Sequence, residues 1–477
     1  LSIYKSIFES VTDNMLGKEE KMKTSKYEID MSNGAIMPKL VSFAIPLMLS
    51  GILQLMFNTV DIAVVGRYGG GGSLAAVGAT TFPINIFTNL FIGISMGTDV
   101  LSASFYASGQ KKEMSEMVHT SIMFALISGV IMVFIGLGFS RFALELMGTP
   151  KDVIDRAVLY IRIYFVGMPF FMLYNFGAAV LRSVGDTKRP LLFLVISGII
   201  NAVLNLILVI VFHMDVAGVA IATVISLMVS CILVLRCLYK AEGSYKLCFS
   251  KLTLKWEYLK PIFRVGIPAG LQSTMLNFSN ALLQSSVNSF GSVAMAGYTA
   301  ANNIFLYPYT VINSVTQACM SFTSQNYAVR KLKRMDKVLI NCIILTVAGA
   351  VILGFGARFF GSDLLRLYAR EADVISCGLE ILSITTLPVF LYGIMEIFPG
   401  AARGMGYSTV PMILSVIGIV GMRIIWICLI FPAHRSLGFL FISYPVSWIV
   451  TIMLQGVYFF FIRKKVWQTV TVVLESK

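Results

Sequence analysis

Read for hydrophobic and polar positions, the chain resolves into twelve long apolar stretches separated by polar turns. Stretches long enough to cross about 30 Å of hydrocarbon as a helix predict spans 1 to 6 at about 39–66, 81–107, 118–139, 158–181, 190–212 and 217–239. Spans 7 to 12 follow at about 261–288, 299–325, 338–360, 377–401, 411–431 and 437–461. The apolar runs are continuous rather than alternating, which excludes an outer-membrane barrel. The expected fold is an all-α polytopic membrane protein of twelve transmembrane helices.

One polar position interrupts the first span. Ile45–Gly66 is a membrane-length apolar stretch that carries a single acid, Asp61. A carboxylate there is costly, and such residues mark ion or proton pathways. At 1.5 Å per residue, Asp61 lies roughly 7 Å from the far end of its helix. Asn201 and Asn205 are four residues apart in span 5, hence on one face. Asn205 is roughly 11 Å from the outer end of its helix, and Thr223 in span 6 roughly 9 Å deep. A carboxylate, two amides and a hydroxyl thus share one level. Oxygen donors of this kind suit a hard cation, and a buried carboxylate left unpaired takes a proton instead. The blander alternatives are that Asp61 caps the next loop or pairs with Arg67, and that the asparagines bond neighbouring helices.

Composition agrees with the membrane assignment. The chain is 57% hydrophobic and 13% charged, against about a quarter charged in soluble domains. The net charge of +14 reads as topology rather than as a nucleic-acid surface. Of 38 lysines and arginines, 28 lie on the N-terminal side of span 1, after the even-numbered spans and in the C-terminal tail. By the positive-inside rule both termini are cytoplasmic, in a multi-pass cell-membrane protein. Seven cysteines and three scattered histidines (His119, His213, His434) show no metal-ligand or disulfide spacing, so no cofactor is expected. The sequence holds no P-loop, and the chain is expected to be a monomer.

The two halves are copies. Ile45-Pro46 returns as Ile267-Pro268, and Asn58-Thr-Val-Asp61 as Asn277-Phe-Ser-Asn280. Phe105-Tyr-Ala107 returns as Asn326-Tyr-Ala328, and Arg182-x-x-Gly185 as Arg403-x-x-Gly406. Offsets of 219 to 222 in strict order mean a parallel repeat of six plus six helices. The expected organisation is an N-terminal extension at 1–35 outside the fold, an N-lobe at 36–238 and an inter-lobe loop at 239–260. A C-lobe at 261–465 and a tail at 466–477 complete it.

With these motifs in view the chain resembles the multidrug and toxic compound extrusion (MATE) transporters. The resemblance rests on Pro46, Leu49, Asp61, Val65 and Gly66, on Leu74–Gly78, on Arg182–Asp186, on Gly266–Gln272 and on Ser321–Tyr327. It implies two six-helix lobes around a central cavity, and an antiporter expelling organic cations or amphiphiles in exchange for Na⁺ or H⁺. A family pattern of a span 1 acid, an Asn and an acid four apart in span 5, and a span 6 Thr implies a cation site at Asp61, Asn201 and Thr223. Asn205 departs from it, being neutral where a second acid can stand, so H⁺ and Na⁺ both remain open. Any Na⁺ is expected at the Asp61 site only. The family's C-lobe site is not carried over, because span 7 offers Asn277 and Asn280 and no acid.

Two charges lie within C-lobe apolar runs, Glu396 in span 10 and Arg423 in span 11. Intramembrane charges generally pair, so these two are expected to form an ion pair. Substrate-cavity candidates are Gln54, Asn58, Asn89, Tyr174, Asn175, Gln272, Asn277, Tyr307 and Tyr392, set among methionines and aromatics that give adaptable apolar walls. The expected function is secondary-active multidrug efflux by alternating access. The rivals are a lipid or lipid-linked oligosaccharide flippase, which needs basic residues for phosphate, and a membrane-embedded enzyme, which needs paired acids, a metal set or a nucleophile with its base.

Overall fold

The computed structural model describes residues 27–70 and 72–475, with side chains through residue 468. Most of the expected N-terminal extension therefore lies outside the described residues. No strand occurs among those described. Seven expected spans are single helices: Ile36–Tyr68, Ser73–Ala107, Lys111–Leu146, Asp215–Tyr239, Trp256–Asn288, Ser292–Ala328 and Leu332–Phe359. They overrun the hydrophobic windows because the helices continue into polar turns, where propensity and caps rather than hydropathy set the end.

Among the described residues, eight helices are long and apolar enough to cross a membrane alone, and ten spans result when each of two bent pairs counts once. The helices absent from that set are spans 7 and 8, Trp256–Asn288 and Ser292–Ala328. Their polarity comes from Gln272, Asn277, Asn280 and Gln284 in the first, and from Asn302, Asn303 and Asn313 in the second. Helices this polar need polar neighbours or a wet cavity.

The internal repeat extends to features no single residue announces. Span 4 is Ile154–Val166 and Met168–Ser183, and span 10 is Ala372–Thr386 and Val389–Gly404; each pair is bent by 44°. Pro169 and Pro388 stand at the two breaks, and proline removes a donor and clashes with the preceding turn. Span 5, Lys188–Leu206, ends in a π-helical turn at Ile207–Val211, and span 11 contains one at Trp426–Ile430, an offset of 219. Span 11 has a further π turn at Val416–Gly421. Span 12 comprises Leu437–Phe441 and Ser443–Glu475.

The repeated Arg-x-x-Gly motif is a helix stop. Asp186 N–H donates to Leu181 O (2.9 Å) and Gly185 N–H to Arg182 O (2.9 Å); Tyr407 N–H donates to Ala402 O (2.9 Å) and Gly406 N–H to Arg403 O (2.8 Å). This double closure, with Gly185 at φ +94° and Gly406 at φ +83°, is the Schellman arrangement that glycine permits without a Cβ penalty. Below the first stop, Asp186 binds Arg189. Burial raises the Asp186 carboxyl above its ordinary range, with Arg189 opposing.

The described residues divide into two compact units, one of residues 27–30 and Ile45–Gly270, the other of Met31–Ala44 and residues 271–475. The first has a core around Met114, Met117, Leu144 and Phe176, the second around Leu382, Leu440, Phe441 and Trp448. Described residues that precede span 1 are fastened within each unit. In the first, Glu28 accepts from Tyr106 (3.0 Å) and Tyr245 (2.7 Å). In the second, Arg334 donates to Met31 O (3.2 Å) and Asn33 O (2.8 Å).

Candidate functional site

In the first unit, Gly198, Asn201 and Asn205 recur at helical spacing on one face of span 5. A Cβ on Gly198 would overlap the Phe57 ring, so the missing side chain is what lets spans 1 and 5 approach. One turn beyond Phe57, Asp61 meets that same face. Asn205 Nδ2 donates to Asp61 Oδ1 and lies 3.3 Å from Asn201 Oδ1. Asn205 is fully buried, Asn201 nearly so, and Asp61 partly. Tyr160 and Tyr164 lie within electrostatic reach of the carboxylate. The π turn begins two residues after Asn205, and such turns recur at functional sites.

Thr223 is not joined to this string by a hydrogen bond among the described residues. Its hydroxyl donates to the Val219 carbonyl one turn back (2.9 Å). Arg67 makes no ion pair with Asp61 among those residues; its guanidinium lies over the Tyr68 ring at 5.9 Å. Among the described residues Asp61 therefore has a neutral amide as its hydrogen-bond partner and no compensating cation. A carboxylate so placed binds a proton or a small cation when one arrives.

The expected Glu396–Arg423 pair is absent among the described residues. Glu396 lies within electrostatic reach of Arg403, seven residues on along its own helix, without an ion pair among the described residues, and Arg403 donates to Gln272 Oε1 at 2.6 Å. Arg423 donates to Ser279 Oγ (3.2 Å) and Asn280 Oδ1 (2.9 Å). The physical reason is azimuth: depth along the axis brings two residues level but does not turn them toward each other.

The second unit holds a cavity of about 120 Å³ whose walls include Asn277, Asn302, Tyr309, Tyr392, Arg423 and Trp448. Of the expected cavity residues, Asn277 and Tyr392 are there. Gln272 is buried under Arg403 and Tyr307 is half-buried outside this lining. In the first unit, Gln54 and Asn58 are exposed and Asn89 is half-buried. Tyr174 lies within hydrogen-bond reach of Pro190 O (3.4 Å), and Asn175 donates into its own helix at Phe171 O (2.8 Å). Sequence reading missed Asn302, Tyr309, Arg423 and Trp448 as lining. The available signal was helical spacing: Asn302, Phe305, Leu306 and Tyr309 on span 8, and Tyr444 with Trp448 on span 12.

The MatE family model matches residues 46–207 and again 268–429. A probable multidrug resistance protein of Bacillus subtilis, YoeA, is 28% identical over 435 residues, covering 89% of this chain and 93% of the relative. The multidrug export protein MepA of Staphylococcus saprophyticus is 23% identical over 396 residues, covering 81% and 86%. Among solved structures, an outward-facing multidrug resistance MATE family transporter of the MOP superfamily superposes with a TM-score of 0.86 at 21% identity, covering 94% of this chain and all of that one.

Proposed function

Because this chain belongs to the MatE family of membrane transporters, we propose that it is a secondary-active efflux antiporter coupled through Asp61. It exports organic cations or amphiphiles in exchange for H⁺ or Na⁺, by access that alternates between the two membrane faces. Its relatives' names, multidrug resistance and multidrug export, support the substrate class. The charge distribution supports a cell-membrane protein with both termini cytoplasmic. It works as a monomer.

The observation that carries the reading is the Asp61–Asn205–Asn201 string, an uncompensated carboxylate on buried amides in a membrane-length helix. An amide serves both states of such an acid. It donates N–H to the ionised carboxylate, and by turning about its last bond it accepts from the protonated one or offers its oxygen to a cation. Asn205 Oδ1 is buried with no hydrogen-bond partner among the described residues, an acceptor in reserve for that second state. A cationic substrate and the coupling ion would then compete for one negative charge, which is the exchange an antiporter requires.

The test is ethidium uptake into everted vesicles under imposed H⁺ and Na⁺ gradients, applied separately. Uptake driven by one gradient and lost in Asp61→Asn, at equal expression, is expected. Normal gradient-driven uptake in that mutant overturns the reading.

A further inference from the structure

The two units set opposite charge between corresponding helices. Asp61 of the first corresponds to Asn280 of the second at the 219 offset, and Arg423 lies in span 11, the repeat of the span 5 that carries Asn201 and Asn205. Where the first unit sets amides against an acid, the second sets a guanidinium against an amide and a serine. Arg423 is 4% exposed. Its plane lies over the Tyr444 ring, 4.1 Å from the centroid, and its Nε is buried with no hydrogen-bond partner among the described residues. The titratable groups around it are Tyr298, Tyr392 and Tyr444. No carboxylate among the described residues comes within ion-pair range.

A buried cation without a counter-charge is costly, because neutral partners satisfy its donors but not its charge. This one also forms part of a cavity wall. We propose that the second-unit cavity is a binding site for small organic anions, a carboxylate on an aromatic or apolar body, with Arg423 as the charge-recognising residue. The amides of Asn277 and Asn302 offer hydrogen bonds to the head, and Tyr309, Tyr392 and Trp448 offer faces for the body. At about 120 Å³, the space is on the scale of one ring, since an engineered cavity of about 150 Å³ takes benzene. The site goes beyond the antiporter reading, which concerns an acid in the other unit and cationic substrates.

The test is equilibrium binding of radiolabelled benzoate to the purified full-length protein in detergent. Benzamidinium, the same ring with a planar cationic head close to the carboxylate in size, is the charge-reversed competitor. Saturable binding that this cation does not displace is expected, weakened about tenfold or more in Arg423→Gln, as loss of a charge-assisted contact implies. Asn280→Asp decides the matter if Arg423→Gln fails to fold. It supplies a counter-charge from within the protein, so it folds and loses benzoate. Absence of saturable binding to folded wild type overturns the proposal. So does undiminished binding in Asn280→Asp, or displacement by benzamidinium as effective as by unlabelled benzoate.

Discussion

Asn205 gives its side-chain N–H to Asp61 across 144 residues of chain. That bond holds the acid of span 1 against the most buried amide of span 5. It also sets how much negative charge the site presents, because a neutral amide occupies the place a second carboxylate could take. Asn205→Asp would double the charge on the string. Cation affinity rises with the number of anionic ligands, so this substitution is expected to raise apparent Na⁺ affinity by about tenfold or more. Ethidium uptake titrated against Na⁺ at fixed pH reads it. An unchanged Na⁺ dependence would show that Asn205 does not touch the ion.

The close approach of spans 1 and 5 depends on an absent side chain. A Cβ on Gly198 overlaps the Phe57 ring, and overpacking of this kind typically costs about 1–3 kcal/mol. Gly198→Ala is expected to lower the melting temperature and to reduce transport, because Asn201 and Asn205 ride on the same face. Adding Phe57→Ala removes the clash and is expected to restore most of the stability. Thermal unfolding in detergent of the two single variants and the double variant checks it. Additive losses in the double variant would place the strain elsewhere.

Much of this fold was legible because membrane spans announce themselves by length and apolarity. Spans 7 and 8 are the weakest by hydropathy, and the repeated motifs Ile267-Pro268 and Asn326-Tyr-Ala328 agree with the places read for them from apolar windows. Arg182-x-x-Gly185 was visible as a repeat, and its role as a helix stop followed once the hydrogen bonds were seen. The π turns at Ile207–Val211 and Trp426–Ile430 were not legible, since a one-residue slip in hydrogen bonding leaves no residue signature. The Glu396–Arg423 pairing failed for a different reason. Equal depth along two helices does not turn their side chains toward each other, and Arg423 points instead to Ser279 and Asn280. In the candidate ion site, Asn201 and Asn205 share one face because four-residue spacing settles azimuth on one helix, and Asp61 meets that face. Thr223 had no such constraint, and its hydroxyl turned into its own backbone.

The two helix stops make a graded prediction. Both Gly185 and Gly406 occupy the left-handed region, where a Cβ costs about 1–2 kcal/mol. Gly185 carries a second burden, since its Cβ would also collide with the backbone of Ile29, lying 2.6 Å from the carbonyl oxygen. Gly406→Ala is therefore expected to cost about 1–2 kcal/mol and Gly185→Ala more. Melting temperatures of the two variants should fall in that order. Equal losses would mean that the residues around Ile29 yield without penalty.

Tyr444 tests how a lone cation is kept in the second unit. The Arg423 guanidinium sits 4.1 Å from the centre of its ring, and cation–π contacts are worth about 2 kcal/mol or more when desolvated. The attraction comes from the ring face and not from the hydroxyl, so Tyr444→Phe is expected to retain most of it. Tyr444→Leu keeps apolar bulk and loses the quadrupole, which isolates the electrostatic contribution from packing. Tyr444→Leu should therefore melt well below Tyr444→Phe, by an amount corresponding to about 1–2 kcal/mol. In an Arg423→Met background that difference should shrink, because no cation is left to feel the ring. A gap of the same size in both backgrounds would assign Tyr444 to packing against its neighbours Tyr298 and Phe441 rather than to the charge.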